Sequence, residues 1–389
     1  MDQNRPLDAG PVLRSVFIIL LAAISLLVPQ QSLGRSPDAL PSLNMEAPTR
    51  DQIVQPLWAR RLEQRLQAVD RAHIGDLGVY VKDLTSGIDV SLRADESWYL
   101  ASGIKIPVAM AVLRKVENGE IALNTEIRLE ESDYVDGAGQ TNWHGPGSQL
   151  TVQYLMEQML TVSDNTATDM LIRLVGLENV NRLVQELVPQ GFGSVTTLAD
   201  VRRQAYSRFH PNAFNLTGRD FFTIRKQSKE HGRIEALASV LNLTVEDFAV
   251  SDLDSAFAGY YATNLNGASL SAYGQLLQRL VQGHALQPES TQYIMALLLK
   301  VKTGKNRIKS GLPPARAFAH KTGTQHRRIC DLGVVMDEGG ARNPQALIAV
   351  CSRDFKSLYS AEAALREVAE AISESGLFDT LKIADARQK

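Results

Sequence analysis

Strand signals stand at the two ends of this chain with a long helical stretch between them, and that order limits the folds open to it. Near the start, residues 77–81 and 88–92 alternate like strands around the turn Thr85-Ser86-Gly87. Near the end, residues 316–320, 328–336 and 345–352 read as strands, the last two flanking the turn Glu338-Gly339-Gly340-Ala341-Arg342. Between them lie helical patterns at 105–118, closed by Gly119, at 150–185 and at 269–301. Thr151 can cap the second of these, and Leu155, Met156, Met159 and Leu160 give it an apolar face. A helix at 52–68, with Ile53, Leu57, Leu62, Leu66 and Val69 at near-helical intervals, precedes the first hairpin, and a helix at 360–373 ends the pattern. The order predicts an antiparallel sheet assembled from both ends of the chain, with a helical subdomain inserted between.

A length of 389 residues suits one large domain or two small ones. The formal net charge of -2 gives no reason to expect nucleic acid as a partner. Arg5 and Arg14 precede an apolar run, 16–28, that is short for a membrane span and fits the apolar region of an export signal. Pro29 ends the run, and Ser32-Leu33-Gly34 offers small residues for cleavage. The expected division is a signal peptide at 1–34, a Pro- and Ser-rich linker at 35–51 and a catalytic domain at 52–389, with an uncleaved membrane anchor as the alternative for 1–34. The expected location is secreted or periplasmic, an oxidising compartment. The two cysteines, Cys330 and Cys351, flank the 338–342 turn and come roughly opposite each other counting outward from it. A cross-strand disulfide and two buried thiols both stay open.

Three short strings carry the chemistry. In Ser102-Gly-Ile-Lys105 the serine and lysine stand three apart at a helix start and share a face. A serine hydroxyl is a weak nucleophile until a base takes its proton, and a lysine kept from water among other cations can be that base. In Ser163-Asp164-Asn165, Ser163 can relay a proton to a departing nitrogen, and Asn165 can hold a substrate amide and Lys105. Taken alone this string would read as a helix N-cap. K-T-G occurs twice. Lys302-Thr303-Gly304 follows a helical run and reads as a helix terminus with a glycine cap, whereas Lys321-Thr322-Gly323 follows the strand ending at His320. An edge strand there can lay its backbone beside a substrate, Gly323 permitting close approach and Lys321 facing a carboxylate. The N–H groups of Ser102 and Thr324 would form an oxyanion hole.

These strings, in this order, are the S-x-x-K, S-D-N and K-T-G set of penicillin-recognising serine hydrolases. From about residue 52 to 377 the chain resembles class A serine β-lactamases and their broader relatives, in Tyr99-Leu-Ala-Ser-Gly-Ile-Lys-Ile-Pro-Val, in Leu160-Thr-Val-Ser-Asp-Asn-Thr-Ala-Thr-Asp, and in Leu312-Pro-Pro with Ala319-His-Lys-Thr-Gly-Thr. The resemblance implies an α/β (α+β) sandwich with a five-stranded antiparallel sheet flanked by helices, plus an all-α subdomain. It implies Ser102 as nucleophile, Lys105 as acylation base or its partner and Ser163 as proton relay. Asn165, Lys321, Thr322, Gly323 and Thr324 would bind substrate. No cofactor or metal is expected, and the seven histidines show no metal-ligand spacing. The expected partner is a small β-lactam or cell-wall peptide, and the expected state a monomer.

One departure stands out. Class A enzymes carry T-R-L-D-R-x-E-x-x-L-N after S-D-N, and its glutamate activates the deacylating water. Here the nearest match is Thr197-Leu-Ala-Asp200-Val-Arg-Arg203-Gln, with the glutamate position on or near Arg203. Asp200, or Glu230, Glu235 or Glu246 of the unusual insertion 204–262, would have to replace it. The expectation is therefore a β-lactam hydrolase with slow or altered deacylation. A cell-wall D,D-peptidase or related amidase or esterase, and a sensor that acylates without turnover, are the alternatives. The insertion is far longer than the ~12–15 residues of plain loops, so it should be functional or carry its own helices. Its basic part, 202–233, would be a solvated face or meet an anionic cell-wall polymer. Tyr134 and Trp143, flanking Gly137-Ala-Gly139, would either wall the cleft beside Ser163 or be ordinary buried aromatics, and His320 is explained by strand packing as well as by function.

Overall fold

The computed structural model describes residues 55–337 and 343–379. The expected signal peptide at 1–34, the linker at 35–51, the first residues of the 52–68 helix and the 338–342 turn lie outside the described residues. Helix α1 (Leu57–Ala72) leads into the hairpin β1 (Asp76–Asp83) and β2 (Asp89–Leu92). Then come β3 (Ser97–Tyr99), a 3-10 turn over Ala101–Ile104, and α2 (Lys105–Glu117). The ribbon of β4 (Glu126–Arg128) and β5 (Gln149–Thr151) precedes α3 (Val152–Thr161), α4 (Asn165–Val175) and α5 (Leu177–Leu187). The long segment holds α6 (Leu198–Tyr206), α7 (Gly218–Arg225), α8 (Glu230–Val240) and α9 (Leu253–Tyr261). The chain continues through β6 (Gly267–Ser269), α10 (Leu270–Val281), α11 (Pro288–Leu299) and α12 (Ile308–Gly311), then β7 (Ala317–Gln325), β8 (Arg328–Met336), β9 (Pro344–Arg353) and α13 (Leu358–Glu374).

The two ends of the described chain do meet. The five-stranded sheet runs β2-β1-β9-β8-β7, every pairing antiparallel, with Tyr80 opposite Ala349 where the early hairpin joins the late strands. Side chains alternate between two cores. Ala346, Ile348 and Val350 of β9 pack with Leu62, Leu66, Leu365 and Val368 of α1 and α13. Leu347, Ala349 and Cys351 face the helical body. Because both faces are covered, β8 and β9 read as continuous apolar runs, with little hydrophobic alternation.

Helix α2 is the axis of that helical body. Ile106, Val108, Ala109, Met110, Val112 and Leu113 are all buried, as expected of a helix apolar on every side. Each large side chain there contributes up to about 1.5–3 kcal/mol. This packing holds Lys105, the first residue of α2, at a fixed depth. One expectation changes and one open choice is decided. The strand foreseen at 316–320 continues to Gln325, so Lys321-Thr322-Gly323 lies inside edge strand β7; ladder bonds to β8 hold it extended. Cys330 and Cys351 pair directly across β8 and β9, with Cα atoms 4.0 Å apart, and form a disulfide.

Candidate active site

Ser102 sits in the 3-10 turn between β3 and α2. The turn is tied down on both sides: Leu100 N–H donates to Asn266 O, and the Tyr273 hydroxyl donates to Gly103 O at 2.8 Å. Ala101, just before the serine, takes a left-handed φ of 48°. Ser163 does the same at 65°. Such conformations cost about 1–3 kcal/mol each for residues with a side chain. Both strained residues thus sit at or beside the candidate catalytic serines. Gly323 meets the Ser102 turn so closely that a Cβ there would run into the Leu100 carbonyl. This close approach brings β7 alongside the turn that carries Ser102.

The S-D-N string is built as a helix cap. Asp164 caps α4 by accepting from Ala167 N–H, and its other oxygen accepts from Thr141 N–H, both at 2.9 Å. The capping role given to this string as its ordinary reading is therefore real, and the cap aims the residues on either side. Ser163 and Asn165 turn toward Lys105. The fully buried Lys105 amine donates to Ser163 O at 2.7 Å, to Asn165 Oδ1 at 2.8 Å and to Ser163 Oγ at 3.2 Å. Lys321 Nζ donates to the same Ser163 hydroxyl at 3.0 Å. One serine oxygen therefore bridges the two lysines. Among the described residues the Ser102 hydroxyl has no hydrogen-bond partner, and the Lys105 amine is taken up by the S-D-N residues. Catalytic contacts of this kind often close only when substrate binds.

The electrostatics favour a neutral amine. Burial pulls the Lys105 pKa down to about 7; Asp164 and Asp169 oppose the shift, and Arg202 adds to it. Burial, Lys105 and Arg307 hold the Lys321 ammonium well below its ordinary value, against Asp331. Two buried ammonium groups around one hydroxyl repel each other, so charging one disfavours charging the other. Asp169 is also buried, and its pKa rises to about 7 through desolvation despite accepting Leu198 and Ala199 N–H at 2.7 and 2.9 Å. Those bonds fasten the start of α6 to α4.

Among the described residues, none of the acids considered as a substitute base hydrogen-bonds Ser102, Lys105, Ser163 or Lys321. Asp200 pairs with Arg203 one turn along α6, Glu230 caps α9 at Leu253 N–H, Glu235 pairs with His231, and Glu246 is exposed on a 3-10 turn. Nor does Arg203 face the cleft: it donates to Leu216 O and lies over the Phe221 ring. Its neighbour Arg202 is the inward one. It is buried, grips Asp136 through two bonds of 2.6 and 3.2 Å, and its charge reaches Lys105. Asp136 in turn offers its backbone carbonyl to Asn165 Nδ2 at 2.8 Å.

Several functional positions escaped the sequence reading. Lys302-Thr303-Gly304 is no helix cap, since α11 ends at Leu299; Thr303 instead shares a 2.5 Å hydrogen bond with Thr322 and braces β7. Arg307, buried, donates to Gly323 O at 2.9 Å and to Thr324 Oγ1 at 2.8 Å, so it braces β7. No spacing rule marks Arg307, Asp136 or Arg202, because only the fold brings them near. Trp143 is exposed, not buried, while Tyr134 donates to His144 O at 2.5 Å. His320, within β7, is buried, paired with Asp331 at 2.6 Å and stacked on Phe318. Among the described residues, no group of three or more His, Cys, Asp or Glu side chains is arranged to hold a metal ion.

This arrangement of sheet, helical body and lysine-flanked serines has clear relatives. The profile of the beta-lactamase enzyme family matches residues 61–375, and the chain belongs to that family. It is 28% identical over 321 residues to a beta-lactamase of Streptomyces albus G, covering 80% of this chain and 84% of that one. Among solved structures it resembles PBP-A, with a TM-score of 0.62 and 20% identity, over 83% of this chain and 97% of that one. A mutant of PBP-A solved as an acyl-enzyme complex with penicillin G aligns with a TM-score of 0.61 and 20% identity, over 82% and 97%.

Proposed function

We propose that this protein is an exported active-site-serine hydrolase of β-lactam amide bonds that acylates readily and deacylates slowly. Ser102 Oγ bonds to the lactam carbonyl carbon as the C–N bond breaks. Its proton passes to the neutral Lys105 amine and, through Ser163, to the departing nitrogen. Lys321 and Thr322, held by Thr303 and Arg307, receive the substrate carboxylate. Water then cleaves the ester, restoring the hydroxyl. The single observation that carries this reading is the buried Lys105 amine, with its pKa drawn down to about 7, joined to Lys321 through Ser163 Oγ. Slow deacylation is inferred because Arg202, a cation, is the α6 side chain whose field reaches Lys105, while Asp200, Glu230 and Glu235 are engaged elsewhere and Glu246 stands exposed on a 3-10 turn. Export rests on the 1–34 segment.

Rapid mixing with nitrocefin tests the proposal. The expected trace is a burst of about one equivalent followed by slow steady turnover. Steady turnover of a D-Ala-D-Ala peptide exceeding that of nitrocefin would favour the peptidase alternative. Neither burst nor turnover with either substrate would remove the hydrolase reading.

A further inference from the structure

The inserted segment places more positive than negative charge beside Asn165. Asp136, with a side chain only 5% exposed, receives Arg202 and also Arg225 of α7, at 3.3 Å. Arg225 is 56% exposed, so its guanidinium keeps donors free toward solvent. Arg233 joins them. Burial raises the Tyr206 pKa, and Arg202, Arg233 and Arg225 all pull the other way, with Asp136 as the one anion acting on it. The remaining acids of this corner are committed: Asp220 caps α7, Glu230 caps α9, Glu131 pairs with Arg219 and Glu235 with His231. Two guanidiniums thus hold a single carboxylate.

The position of this surplus charge gives it a use. The Asp136 carbonyl holds Asn165, the residue expected to hold the amide of the acyl side chain. Gly137, packed so closely on Asn165 that a Cβ there would meet its Nδ2, lines a cavity of about 440 Å³ with Gly139, Trp143, the paired Glu131 and Arg219, and Phe222. Arg219 and Phe222 belong to α7, and Arg225 follows one turn beyond them, so a side chain passing from Asn165 through this cavity would run along α7 toward Arg225. We propose that Arg225, backed by Arg202 across the shared Asp136 carboxylate, is a subsite for a carboxylate on the acyl side chain, so that preferred acyl donors are anionic at that end as well as at the carboxylate met by Lys321. This rests on the acyl-transfer reading above.

The test compares second-order acylation of the full chain by carbenicillin, whose side chain bears a carboxylate, and by benzylpenicillin, whose side chain does not. The ratio of the two rates isolates the second carboxylate. It should favour carbenicillin at low salt, fall as salt rises, and drop roughly two- to five-fold in Arg225→Gln, with Arg225→Lys retaining most of it. D-Ala-D-Ala peptides with and without an acidic residue before the terminal pair give the same comparison for peptide donors. A preference in either pair supports the subsite and identifies its source; no preference in both, or a ratio indifferent to Arg225→Gln, overturns it. Should nothing acylate the protein, the hydrolase reading fails, and calorimetric binding of phenylmalonate against phenylacetate still decides the subsite. Tighter phenylmalonate binding that weakens in Arg225→Gln supports it, and equal binding of the two acids overturns it.

Discussion

Among single residues, the charge state of Lys105 matters most. Its native pKa lies near 7, against about 10.5 in an unfolded chain. The amine accepts a proton only when neutral, so benzylpenicillin acylation should rise with pH, with a midpoint near 7, and level off above it. Rapid-quench rates between about pH 5 and 9 would show this, and a flat profile would reject Lys105 as base. The sign for stability is the same. Between pH 7 and 10.5 the unfolded chain binds the additional proton, so the penalty of burying this lysine is full at low pH and fades as pH rises. Gly139 gives a second residue-scale prediction. Its φ is +107°, and a Cβ there would collide with the Asp164 carboxylate. Gly139→Ala should destabilise the fold by about 2 kcal/mol or more in denaturant unfolding and displace Ser163.

At the scale of elements, α6 and the loop carrying Asp136 form one unit with the S-D-N string. Arg202→Met would leave the buried Asp136 carboxylate with only the exposed Arg225, at a cost of about 3–5 kcal/mol measured by denaturant unfolding. The same change removes a cation that depresses Lys105, so the midpoint of the acylation profile should move to higher pH. A purely structural role for Arg202 would leave that midpoint in place. The sequence announced much of this architecture and missed its joints. Strand order, α2 and the three strings were legible because local period and residue type encode them. The extension of β7 through Lys321 was not, since Lys321 and Gly323 interrupt the strand signal on either side of Thr322 and are extended because β8 pairs with them. The facing of Arg202 rather than Arg203 depends on how α6 is rotated, which Asp169 settles from another helix by binding Leu198 and Ala199. The helices of the insertion were foreseen only as a class.

At the scale of the whole molecule, strands from both ends of the described chain are joined in a sheet crossed by a disulfide. Cys330–Cys351 closes a loop of 21 residues, and replacing both cysteines by alanine should cost about 3 kcal/mol and lower Tm by several degrees. The fold exists here to hold three distant strings around one hydroxyl, and the most direct test of that claim is the mass of the intact protein after mixing with benzylpenicillin. The account predicts a single covalent adduct with the mass of one whole penicillin, persisting for minutes and absent from Ser102→Ala. An unshifted mass with the penicillin left unhydrolysed, or an adduct that survives in Ser102→Ala, would contradict it.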